Sequence, residues 1–171
     1  NDTLFAAHEA ESINSKKTLK ALYLKPISKA FSLSDKERSN LQLLVDLKNK
    51  PYATLEKLIM LLKEYKSLLK TGDKKGLSIV ISGMRPAVSD YNKYPDFITF
   101  DYQKLDDIPQ ESWSKVGLIS LDFQDFSEWN GKGRLTAEDY IKVNNVIQKA
   151  HAYQKPFRFW GTPDSKTAWK V

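Results

Sequence analysis

Short apolar runs separated by stretches of helical periodicity leave a chain few ways to fold. Here such runs fall at residues 41–48, 77–82, 97–101, 117–122 and 157–160, and helical spacing of apolar residues marks 54–70 and 136–153. Strands of four to eight residues alternating with helices predict parallel βα units. The polar residues are placed with equal regularity. Asp46 and Lys48, Ser82, Asp101, Asp122, and Arg158 with Trp160 all stand at or just beyond the C-terminal ends of the runs.

The run LQLLVDLK at 41–48 is the sharpest. Side chains alternate across a strand, so Leu41, Leu43, Val45 and Leu47 make one apolar face that calls for helices packed on it. Gln42, Leu44, Asp46 and Lys48 make the other. Its carboxylate and ammonium lie two residues apart on one side, close enough to share a ligand or to pair with each other. A solvated strand-end salt bridge is the plain alternative.

Along the rest of the chain, residues 4–8 read as a short strand with Leu4, Ala6 and His8 on one face. Residues 18–23 predict a helical turn before Pro26, and Ser34, Asp35, Lys36 and Glu37 a helix start or solvated turn. Leu55, Leu58, Ile59, Leu62, Tyr65 and Leu69 form the apolar stripe of the helix over 54–70, which Thr71, Gly72 and Asp73 stop. Gly83 and Pro86 mark a turn, and 123–134 a long aromatic loop. Thr136 and Asp139 have capping-box spacing before a helix whose buried side is expected to hold Tyr140, Ile141, Val143, Ile147 and Ala150. Pro163 and Asp164 are expected to open another helix.

A length of 171 residues fits one domain and allows a substantial core. No apolar run approaches a membrane span, and no signal peptide opens the chain. An N-terminus that opens into LFAAH after three residues is compatible with a removed leader, which would favour a secreted or periplasmic location. The absence of cysteine excludes disulfides and thiolate metal sites. The net charge of +6 comes from lysines dispersed at positions such as Lys16, Lys17, Lys57, Lys63, Lys74 and Lys75, with no compact basic block, so nucleic acid is not the expected partner.

Polar residues at the carboxyl ends of successive strands are the arrangement of the working rim of a (β/α)8 barrel, although an open doubly wound sheet also places its site there. The segments LFAAHE, TLKALYLKP, LLVDLK, VISGMRP, LDFQDFSEW and FRFWGTPD, in this order, resemble the phosphatidylinositol-specific phospholipase C-like and glycerophosphodiester phosphodiesterase superfamily. The similarity is closest to a bacterial and fungal branch of PLC-like phosphodiesterases, and it runs along nearly the whole chain.

The resemblance implies an α/β fold of the TIM-type (β/α)8 barrel kind, present incompletely as one domain over 1–171. It implies hydrolysis of a phosphodiester, of glycerophosphodiester or phospholipid head-group type, by two histidines and one divalent cation, Mg or Ca. His8 matches the second of the family's histidines, with Glu9 where the family has Asp; Asp46 matches a metal-ligating acid, and Lys48 a phosphate-facing lysine. Arg158 and Trp160 fall on a strand at the side of the substrate pocket. The family's first histidine, a Glu-x-Asp metal pair and a closing Thr-Asp strand have no counterpart in this chain, so the domain is expected to be truncated at both ends. The rival expectation is a phosphate-ester binding module that has lost catalysis, keeping an anion site at Lys48 and Arg158. A nucleotide-binding open sheet lacks its phosphate-cradling glycine loop here. Ser82 is expected to line the site without acting as a nucleophile, Asp101 and Asp122 to orient loops or else touch substrate, with structure the favoured role, and His151 to be a surface residue.

Overall fold

The computed structural model describes residues 3–33, 40–70, 75–166 and 168. Its strands are β1 (Leu41–Leu47), β2 (Leu77–Gly83), β3 (Ile98–Tyr102), β4 (Val116–Asp122) and β5 (Phe157–Trp160). Three α-helices accompany them, α1 (Lys25–Leu33), α2 (Pro51–Lys63) and α3 (Ala137–Ala152). The strands are parallel and their order along the sheet follows the chain, β1-β2-β3-β4-β5.

This corrects the expectation of a TIM-type (β/α)8 barrel. A barrel closes because its last strand bonds to its first; five strands among the described residues end at β1 on one side and β5 on the other, which is an open α/β sheet. The chain divides into two compact units, Asn1–Ile98 and Thr99–Val171, with the boundary inside β3.

In the first unit, β1 and β2 run in register from Leu41 opposite Leu77 to Leu47 opposite Gly83. β2 is buried almost throughout, whereas β1 is open along much of its length and only Leu47 is fully covered. Between them α2 starts on Pro51, whose fixed φ suits a first helical turn, after Lys50 at φ 40°. It buries Leu55, Leu58 and Leu62, each worth about 1.5–3 kcal/mol.

Three local expectations for this unit change. The helix expected over 54–70 is α2, which ends at Lys63 and is followed by a separate 3-10 turn, Lys66–Leu68. Residues 4–8 contribute only an isolated antiparallel bridge, Phe5 opposite Thr18, and no sheet strand. The helical segment predicted to stop before Pro26 runs through it, as a π-helical stretch Lys20–Leu24 continuing into α1. The wider π turn relaxes the hydrogen-bond ladder where proline lacks its N–H. The expectations at 34–37 and 71–73 lie outside the described residues.

In the second unit, β4 pairs with β5 from Ile119 opposite Phe157 to Asp122 opposite Trp160. Phe123, Phe126, Phe157 and Phe159 pack edge to face or tilted, with ring centroids 4.7–5.9 Å apart. α3 is capped by the Thr136 hydroxyl, which accepts from the Asp139 N–H at 3.1 Å. The capping box is half formed, since Asp139 turns its carboxylate to the Ser127 hydroxyl at 3.0 Å. Val146 and Ala150 are buried, but Tyr140 and Ile141 are 62% and 58% exposed, which corrects their expected place in the core. The helix expected to open at Pro163 and Asp164 lies largely outside the described residues, with Ala168 in 3-10 conformation, and among the described residues no helix is long and apolar enough to cross a membrane.

Candidate functional site

Alternation along β1 buries Leu47 and leaves Asp46 and Lys48 to either side of it exposed. Their side chains meet: Lys48 Nζ lies 2.9 Å from Asp46 Oδ2, with each side chain 48% accessible. The hydrogen bond that Lys48 donates to Asp46, followed by the charge of that carboxylate, holds the Lys48 ammonium above its ordinary pKa, and Glu9 adds a smaller push in the same direction. A carboxylate from the N-terminal segment is therefore near enough to act on Lys48.

Glu9 reaches this neighbourhood because the chain before it is pinned. The Ala6 N–H donates to the Lys17 carbonyl at 2.8 Å, and the Leu19 N–H to the Leu4 carbonyl at 2.9 Å. Past this pairing, His8 and Glu9 form their own pair, Nδ1 to Oε1 at 2.8 Å, both well exposed. An imidazole whose Nδ1 proton is held by a carboxylate presents Nε2 as its free basic nitrogen.

On the neighbouring strand, Asp46 stands opposite Ser82, which is buried, and the chain turns at Gly83 with φ 69°. The Met84 N–H closes the turn by donating to the Leu47 carbonyl at 2.8 Å. Two residues after Gly83, Arg85 carries a buried Nη1 with no hydrogen-bond partner among the described residues. Glu9 and Arg85 are the two groups that strand periodicity could not point to, since both lie in loops. Charge type next to an already suspected residue was the available signal for Glu9, and the Arg in VISGMRP for Arg85.

The structure thus brings Asp46 and Lys48 into contact and sets His8 beside a carboxylate that acts on Lys48. Arg158 and Trp160 belong to the second unit. There they face the same way as their register partners Ser120 and Asp122, and both are exposed. Ser120 is fully buried and directs its hydroxyl to the equally buried Asp101 carboxylate, 2.7 and 2.6 Å from its two oxygens. Asp122 accepts from the Gln124 N–H at 3.0 Å and so shapes the loop after β4.

The donors at Asp46 suit a hard cation in kind. Mg2+ is commonly held by one or two carboxylates, with water and phosphate oxygens completing its shell. Among the described residues no three His, Cys, Asp or Glu side chains converge. A cation here would have Asp46 as its carboxylate and would have to displace the Lys48 ammonium. No family model, curated protein or solved structure matches the chain.

Proposed function

We propose that the rim formed by His8, Glu9, Asp46 and Lys48 binds a phosphodiester of the glycerophosphodiester or head-group kind and hydrolyses it. The observation that carries this reading is the exposed Lys48 ammonium paired with the strand-end carboxylate of Asp46 at 2.9 Å, beside an N-terminal segment that holds the His8–Glu9 pair. A phosphodiester gathers negative charge as phosphorus becomes five-coordinate. Lys48 offsets that charge, and its hold on Asp46 lets it turn to a phosphate oxygen without leaving the site. His8, kept in one tautomer by Glu9, takes a proton at Nε2 from the attacking water or returns one to the leaving oxygen. A divalent cation bound at Asp46 would add further positive charge at phosphorus.

Hydrolysis of bis(p-nitrophenyl) phosphate with Mg or Ca tests the proposal. His8→Ala is expected to lower kcat about 100-fold or more, and Lys48→Ala to raise KM as well. Activity indifferent to both chelator and His8→Ala would remove the mechanism. The close Asp46–Lys48 pair favours a second reading, a module that binds phosphate esters without turning them over. That reading expects binding that weakens on Lys48→Ala with no product formed, and unchanged binding would count against it.

A further inference from the structure

The two strand-end carboxylates share a geometry that their sequence positions do not announce. Asp46 is opposite Ser82 in the sheet, and the residue after Ser82 is Gly83; Asp122 is opposite Trp160, and the residue after Trp160 is Gly161. Both glycines have left-handed backbones, φ 69° and 70°. In both places the missing side chain is the space the carboxylate uses. A Cβ at Gly83 would collide with Asp46 Oδ1 and come within 2.5 Å of the Leu47 carbonyl oxygen, and one at Gly161 would lie 2.6 Å from Asp122 Oδ1.

We infer that Gly83 and Gly161 are positioning residues, notches at the tips of β2 and β5 that let the carboxylates of Asp46 and Asp122 lie across the neighbouring strand end. For Asp46 the inference deepens the proposed site, since a carboxylate lifted out of its notch would no longer hold Lys48 where substrate would meet it. For Asp122 it stands independently, in the second unit. Turn geometry alone asks for glycine at a positive φ. The notch asks for more, that the cost of a methyl group depend on the carboxylate opposite.

That difference is measurable because Gly133 also has a left-handed backbone, φ 66°, with no atom of the described residues beyond its chain neighbours within 4 Å of a Cβ built there. Gly133→Ala therefore reports the backbone cost alone, a fall in Tm of about 2–8 °C. Gly161→Ala is expected to lower Tm further than Gly133→Ala. In an Asp122→Ala background its added cost is expected to shrink to that of Gly133→Ala, because among the described residues Asp122 supplies the only atoms within 4 Å. Gly83→Ala in an Asp46→Ala background is expected to recover only in part, because the Leu47 carbonyl remains in the way. Such non-additivity marks direct contact, and additive cycles at both pairs would overturn the inference. If Gly83→Ala does not fold, the Gly161 and Asp122 cycle decides alone. The melting cycles do not depend on turnover: non-additive cycles without hydrolysis would leave the notches standing and remove the proposed activity, and additive cycles with hydrolysis would do the reverse.

Discussion

Arg85 holds a guanidinium nitrogen away from water with no acceptor among the described residues. A buried donor left unpaired costs about 1–3 kcal/mol, so an anion that supplies the acceptor should stabilise the fold. Inorganic phosphate is therefore expected to raise the Tm of the wild-type protein more than that of Arg85→Met, measured by calorimetry in matched ionic strength; equal shifts would show that Arg85 does not meet the anion. Asp90 offers a pH test. Hydrogen bonds from Lys93 and then from the Tyr52 hydroxyl, which lie 2.6 and 2.8 Å from its carboxylate oxygens, hold its pKa below the ordinary carboxylate value. A carboxyl with a lowered folded pKa contributes stability above its unfolded value and loses it as the pH falls through the folded one. Wild type should thus exceed Asp90→Asn in Tm at neutral pH, and the gap should close on acidification below the ordinary carboxylate range. A gap that persists to the acid limit would assign the difference to packing. Of the residues singled out in the first unit, Asp46 and Lys48 were legible from the chain because strand alternation alone puts them on one side, and Leu47 between them on the other. Glu9 and Arg85 were not, because position in a loop carries no periodicity to read.

At the level of elements, the strands were legible to within a residue or two, since four to seven apolar residues bounded by Gly, Pro or charge have one stable use beside a helix. α3 shows where that logic stops. Its buried stripe is Val146 and Ala150 flanked by half-buried Val143 and Ile147, spacing that the sequence does contain. Ile141 is apolar as well, but at roughly 100° per residue it lies about half a turn round the helix from Ala150. Composition alone assigned it to the core. Val146→Ala is accordingly expected to destabilise by about 1–3 kcal/mol in urea titration, whereas Ile141→Lys should stay within about 0.5 kcal/mol. A large loss from Ile141→Lys would mean that this face is covered. At the start of the same helix, Thr136→Ala removes the acceptor of the Asp139 N–H and should cost about 1 kcal/mol, with Thr136→Ser largely preserving stability. π-helical geometry ahead of Pro26 was beyond sequence reading, because proline is normally taken to end a helix and the turn that accommodates it has no residue signature.

For the molecule as a whole, the difference between an open sheet and a closed barrel is the one property that no single strand encodes. Each strand responds only to its immediate neighbours, so alternation, polar tips and βα order read alike in both architectures; closure depends on how many strands there are and whether the last meets the first. The open form has a physical consequence at β1. Among the described residues β1 ends the sheet with β2 as its neighbouring strand, and its first five residues, Leu41, Gln42, Leu43, Leu44 and Val45, carry neither charge nor proline. Leu41 is 39% exposed and Leu43, Leu44 and Val45 are half-buried, so this end strand of the sheet carries accessible apolar side chains. Proteins usually protect such an edge with lysine, proline or a bulge. The chain is therefore expected to self-associate as its concentration rises, detected as an increase in weight-average mass by sedimentation equilibrium. Leu41→Lys should shift that rise to higher concentration by putting a like charge on each approaching edge, at little cost to Tm because the position is already accessible. Weight-average mass that is independent of concentration, or association unaffected by Leu41→Lys, would show that the β1 edge is protected in the native chain.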